Sequence, residues 1–71
     1  MTPAILHAIE AERARQDARF GSHVWVPDYL WLAILTEELG EVARDLQERR
    51  DLRPELVQVA AVAVAWLEAL A

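Results

Sequence analysis

The segment from Leu56 to Leu67 constrains this chain most, because it is almost wholly apolar in a protein of only 71 residues. Pro54 before it suits the first position of a helix. A helix that is apolar on every side must be covered on every side, but a chain this short buries only about 60% of the surface that its unfolded form exposes. Two further helices cannot cover it, so we expect self-association.

Composition narrows the function classes. There is no cysteine, hence no disulfide and no thiolate metal site. The longest apolar run, Val59 to Leu67, is shorter than the ~20 residues of a membrane span, and no basic leader follows Met1; we expect a cytoplasmic protein with no membrane partner. The net charge is −5 and all seven basic residues are arginine, which argues against binding to a nucleic-acid backbone.

The pattern along the chain predicts a single all-α domain, residues 1–71, with helices at about 3–19, 28–48 and 54–70. Thr2 and Pro3 are typical of a helix start. Gly21 interrupts the helical pattern, and Asp28 is expected to cap the second helix.

The second helix carries an acidic cluster beside its apolar stripe. At roughly 100° per residue, Glu38 lies about 60° from the middle of that stripe and Glu41 about 120° away. Such acids are usually a solvated face, but near a buried face desolvation favours either neutralisation or a bound cation. The apolar stripe consists of Trp31, Leu35, Leu39, Val42 and Leu46.

The first half of the third helix also carries two polar residues, Glu55 and Gln58, which are three residues apart. We call this pair the polar notch. In an antiparallel hairpin this notch faces the acidic helix. Glu55 meets Glu38 and Glu41 if the second helix ends before about Glu48, or another subunit could supply the ligand. Carboxylates suit Mg²⁺, which supports phosphoanhydride hydrolysis. A di-iron site would require Glu-x-x-His pairs on two helices, and no histidine follows a glutamate at that spacing.

The run Glu37-Glu38-Leu39-Gly40-Glu41, followed after a gap by Glu55-Leu56-Val57-Gln58, resembles the signature of the MazG-like nucleotide pyrophosphohydrolases, Glu-Glu-x-x-Glu and then Glu-x-x-Asp. The stretch from Phe20-Gly21-Ser22-His23 to Trp31-Leu32-Ala33-Ile34-Leu35 also resembles small phage-type and bacterial members of this all-α superfamily. The resemblance covers about residues 20–67.

The resemblance implies an Mg²⁺-dependent enzyme that cleaves a nucleoside triphosphate to the monophosphate and pyrophosphate. It implies four metal ligands, of which Glu38 and Glu41 are also the catalytic residues. Arg44 and Arg53 are candidates for phosphate contacts, although a solvated arginine is the simpler interpretation of each. The metal ligands are Glu37, Glu38, Glu41 and Glu55, and the substrate-binding candidates are His23, Trp25, Trp31 and Gln58.

Two departures from the family pattern keep an alternative open. Gln58 stands where the family has aspartate, and a neutral amide is a weaker ligand for Mg²⁺. The chain is also shorter than the usual four-helix subunit, so an oligomeric helical bundle, a dimer or tetramer, has to complete the fold. The alternative function is a non-catalytic oligomerisation or regulatory module with a degenerate site.

Overall fold

A computed structural model describes residues 1–21 and 25–71, which form three α-helices and, within those ranges, no strand. Helix α1 spans Pro3–Phe20, α2 spans Asp28–Gln47 and α3 spans Arg53–Leu70. These bounds lie within one residue of the expected 3–19, 28–48 and 54–70. The all-α prediction is confirmed.

The N-cap expected for α1 is confirmed, whereas the N-cap expected for α2 is not. Thr2 Oγ1 accepts a hydrogen bond from the Ile5 amide at 3.3 Å, the expected N-cap, with Pro3 at the first helical position. Asp28 does not cap α2, because it is already the first helical residue and the helix follows Pro27 without a side-chain cap. Its carboxylate instead accepts a hydrogen bond from the indole of Trp66 at 3.0 Å.

The end of α2 is a Schellman motif built on a non-glycine residue. The Arg50 amide donates to the Asp45 carbonyl at 2.8 Å and the Arg49 amide to the Leu46 carbonyl at 3.3 Å. Arg49 itself takes the left-handed conformation, with φ of 58°. This turn stops α2 at Gln47 and sends the chain back toward α3.

Helix α3 is the central element, and both α1 and α2 pack on it. In the described part of the chain, α1 and α2 do not pack on one another. The buried residues found there are Ala61, Val62 and Ala65, all on α3. The most apolar helix therefore lies between the other two, yet the core is very small.

The face of α1 that turns toward α3 is mostly polar. Its half-buried positions include Ala8 and Ile9, followed by Glu12, Arg13 and Gln16. Arg13 reaches Glu68 on α3 at 3.5 Å as well as Asp17 on its own helix at 3.1 Å. The described ranges contain no helix with the length and hydropathy needed to cross a bilayer.

Candidate metal centre

A cleft of about 1650 Å³ runs between α1 and α2, with α3 at its base. It exists because the two outer helices touch α3 and leave the space between them open. Arginines of α1 line one side of the cleft, and the acidic cluster of α2 lines the other. The charged and amide residues lining it are Arg13, Arg15, Gln16, Asp17, Arg19, Asp28, Glu37, Glu38, Glu41, Glu55, Gln58 and Glu68.

Three carboxylates meet in this cleft. Glu38 and Glu41 are one helical turn apart on α2, and Glu55 stands in the first turn of α3. One oxygen from each lies within 4.8 Å of the others. Because α2 ends at Gln47, all three belong to one chain, which is the first of the two arrangements that the sequence allowed. We call Glu38, Glu41 and Glu55 the carboxylate triad.

The triad is electrostatically unfavourable without a cation. Burial raises the pKa of Glu55 to about 7, and Glu41, Glu38 and Asp45 add to the rise. Burial also raises the pKa of Glu38, reinforced by the charges of Glu41 and Glu37. Both shifts mean that this site resists carrying three negative charges at once.

Two oxygens of the triad, Glu38 Oε2 and Glu55 Oε2, are buried and have no hydrogen-bond partner among residues 1–21 and 25–71. No arginine in the described ranges forms an ion pair with any member of the triad. A buried, unpaired carboxylate oxygen costs free energy unless a proton or a cation satisfies it. The residues therefore fit a hard divalent ion such as Mg²⁺, which takes one or two carboxylates and keeps positions for water or phosphate.

The other predicted site residues take different places. Glu37 is exposed, lines the cleft, and contributes no oxygen to the triad. Gln58 lines the cleft one turn after Glu55. His23 lies outside the described residues.

Both predicted tryptophans line the cleft, with different exposure. Trp25 is 82% exposed, so its ring is free to stack on a ligand. Trp31 is half-buried, consistent with packing, but its Nε1 is buried and donates no hydrogen bond.

Sequence reasoning missed Arg15, which reaches the cleft from α1. Its guanidinium holds Glu12 through two hydrogen bonds, at 2.9 and 2.5 Å, and its charge partly offsets the rise in the pKa of Glu38. Arg53 instead pairs with Asp51 at 2.9 Å, and Arg44 is exposed and does not line the cleft. No local motif distinguishes Arg15, because its role depends on how α1 packs.

Comparisons of the chain with protein-family models, with curated proteins and with solved structures find no match.

Proposed function

We propose that this protein is a MazG-like, Mg²⁺-dependent nucleoside triphosphate pyrophosphohydrolase. The observation that carries the proposal is the carboxylate triad, in which Glu38, Glu41 and Glu55 bring oxygens within 4.8 Å in a cleft and two buried carboxylate oxygens lack partners. The product pair is a nucleoside monophosphate and pyrophosphate.

Glu38, Glu41 and Glu55 would hold the ion, and Glu37 stands at the edge of the cleft for a second one. When bound, Mg²⁺ supplies charge neutralisation for the phosphate oxygens and activation of water at neutral pH. In this proposal Glu41, whose carboxylate lies close to that of Glu55, orients the attacking water and accepts its proton.

The opposite side of the cleft supports binding of a polyphosphate. Arg15 faces the triad across the cleft, and Arg13 and Arg19 line the same side. Guanidinium groups bind phosphate in a bidentate geometry. Arg13 and Arg15 already pair with Asp17, Glu68 and Glu12, so a polyanion that binds between the two walls would compete with these carboxylates for the guanidinium groups.

The aromatic residues support a nucleotide rather than an inorganic polyphosphate. Trp25 offers an exposed ring face, and stacking of a base on an aromatic ring is worth about 1–3 kcal/mol. The ring of Trp31 lines the same cleft. Gln58 adds an amide that can both donate and accept, where a carboxylate could only accept.

The proposal is tested by pyrophosphate release from a panel of nucleoside triphosphates with and without Mg²⁺. Glu41→Gln preserves size and removes the charge, and we expect it to lower kcat on the order of 10²-fold, as for loss of one electrostatic stabiliser. Glu10→Gln on the exposed part of α1 is the matched control and should retain full activity.

A second measurement separates ion binding from catalysis. Mg²⁺ that binds the folded state alone raises the melting temperature by mass action, and Glu41→Gln should abolish that rise. If Mg²⁺ stabilises the wild type but no nucleotide is cleaved, the non-catalytic module with a degenerate site becomes the better description, with Gln58 the first residue to revert to aspartate. If Mg²⁺ changes the melting temperature of neither the wild type nor Glu41→Gln, the metal site itself is rejected.

A further inference from the structure

The guanidinium of Arg15 is held by Glu12 along one edge only. Arg15 Nε donates a hydrogen bond to Glu12 Oε1 at 2.9 Å, and Arg15 Nη2 donates one to Glu12 Oε2 at 2.5 Å. The second edge, formed by Nη1 and the other N–H of Nη2, takes part in neither bond. A guanidinium can bind one acceptor group along each of these edges. Arg15 can therefore bind a second bidentate acceptor while Glu12 holds it.

Glu12 lies behind Arg15 as seen from the cleft. Arg15 lines both the cleft and a smaller hollow of about 410 Å³ between α1 and the start of α3, whereas Glu12 lines the hollow and not the cleft. The exposed fractions of the two side chains follow the same order, 52% for Arg15 and 13% for Glu12. A carboxylate in this place leaves the second edge of the guanidinium toward the cleft.

The Glu12 carboxylate is itself tied to α3 through other side chains. Gln16 Nε2 donates to Glu12 Oε2 at 3.3 Å, and Gln16 Oε1 accepts a hydrogen bond from Arg13 Nη1 at 3.2 Å. Arg13 Nε lies 3.5 Å from a carboxylate oxygen of Glu68 on α3. The orientation of Arg15 is therefore coupled to the docking of α1 on α3, and is more than a contact between neighbours on one helix.

Arg13 cannot bind a ligand in the same way. Its three nitrogens face Gln16, Asp17 and Glu68, at 3.2, 3.1 and 3.5 Å, and its side chain is only 19% exposed. A phosphate group would have to break contacts on both edges of this guanidinium. Arg13 thus connects α1 to α3, while Arg15 is both held in place and able to bind a ligand.

Charge alone does not explain the pair of Glu12 and Arg15. The pKa of Glu38 is raised mainly by burial, and the charge of Glu12 raises it further while that of Arg15 lowers it. Because the formal charges of the pair cancel, it adds little attraction for a distant anion. What the pair offers is a set of N–H donors in a fixed direction, which bidentate binding of phosphate requires.

We propose that Glu12 is a positioning residue, which orients Arg15 so that the second edge of its guanidinium meets a phosphate group bound beside the carboxylate triad. This inference rests on the proposed function in one respect, because Arg15 has to bind the triphosphate. The phosphate does not displace Glu12, since the two acceptors use different edges. A guanidinium that is already ordered loses less conformational entropy when the ligand binds.

Binding of inorganic triphosphate in the presence of Mg²⁺, measured by isothermal titration calorimetry, separates positioning from attraction. Glu12→Gln removes a negative charge near the cleft, so attraction alone predicts tighter binding. The amide also replaces one acceptor oxygen by a donor. We therefore expect weaker binding, with Kd raised about two- to tenfold, the cost of ordering one freed arginine side chain. Glu10→Gln removes the same charge at an exposed position of α1 and should bind like the wild type.

Two further measurements show whether Glu12 acts through Arg15. In an Arg15→Gln background, Glu12→Gln should not weaken binding any further, because the group that Glu12 positions is absent. NMR relaxation of the arginine Nε–H groups reports on the positioning without any ligand. We expect Glu12→Gln to make the Arg15 side chain more mobile and to leave that of Arg13 ordered.

The results distinguish this inference from the proposed function. The positioning role is overturned, and the enzymatic proposal is not, if Glu12→Gln binds triphosphate at least as tightly as the wild type or weakens binding equally in the Arg15→Gln background. A wild type that shows the expected binding but cleaves no nucleotide supports the positioning role and overturns the enzymatic proposal. A wild type that binds no triphosphate overturns both.

Far-UV circular dichroism shows whether each variant keeps its helices. If Glu12→Gln loses them, the wild type decides. An Arg15 Nε–H group as ordered as that of Arg13 supports the positioning role, and one as mobile as that of the exposed Arg44 overturns it.

Discussion

The indole Nε1 of Trp66 donates a hydrogen bond to the Asp28 carboxylate at 3.0 Å, joining the last turns of α3 to the first residue of α2. The two residues are 38 positions apart in the sequence. Their hydrogen bond ties down the start of α2, which has no capping side chain of its own.

We expect Trp66→Phe to lower the free energy of unfolding by about 1–2 kcal/mol, from the lost hydrogen bond and part of the ring contact. Chemical denaturation measures the change. Asp28→Asn is the companion variant, because it keeps an acceptor and should cost less. Equal losses in the two variants would mean that the hydrogen bond requires the charged form of the acceptor, and no loss in Trp66→Phe would mean that the hydrogen bond does not stabilise the helix start.

The stability of the metal-free protein should fall as pH rises between about 4.5 and 7. Because the pKa of Glu55 is raised to about 7, the folded state binds a proton in that window that the unfolded state has lost, so ionisation destabilises the fold. Glu12, whose pKa is lowered mainly by its hydrogen bond to Arg15, acts with the opposite sign and below this window.

Melting temperatures measured in the presence of a chelator from pH 5 to pH 8 check this sign. Glu55→Gln should flatten the profile and be the more stable protein at pH 8. Glu10→Gln should keep the wild-type slope. A wild-type stability that increases across the window would contradict the assignment to Glu55.

Arg49→Gly should stabilise the protein. Arg49 occupies the left-handed C′ position of the Schellman motif with φ of 58°, where a side chain is unfavourable and glycine is preferred. Relief of that strain exceeds the entropy that glycine adds to the unfolded chain, so we expect a gain of roughly 0.5–1 kcal/mol. Arg50→Gly, one residue beyond, is the control and should not stabilise.

Arg15→Gln should raise KM for the triphosphate about tenfold or more, since a hydrogen bond to a charged group is worth about 1.5–3 kcal/mol. This expectation rests on the proposed function. Arg44→Gln removes the same charge at an exposed position of α2 that does not line the cleft, and its KM should match the wild type. If kcat falls and KM does not change in Arg15→Gln, Arg15 acts on the triad and does not bind the phosphates.

Much of the fold could be predicted from local patterns. Helix bounds depend on nearby residues such as Thr2, Pro3 and Pro54, and the early end of α2 was one of two arrangements compatible with the sequence. The role of Asp28 could not be predicted, because its partner Trp66 is distant in the chain and capping chemistry gave an equally good local explanation.

The candidate site likewise contains residues that the sequence alone could identify and one that it could not. Glu38, Glu41 and Glu55 could be chosen from helix periodicity, and the structure brings them together. Arg15 could not, because the face that α1 turns to its neighbours is polar and its periodicity does not show which side is inward.

Because α1 and α2 touch α3 and leave each other free within the described residues, the three helices form a triangle with one open edge. Arg15 and Glu38 sit on the two sides of that opening. A shift of α1 along α3 changes the gap without breaking any contact between α1 and α2. Under the proposed function, a triphosphate that bridges the two sides would link α1 to α2, and its binding should slow amide exchange in α1.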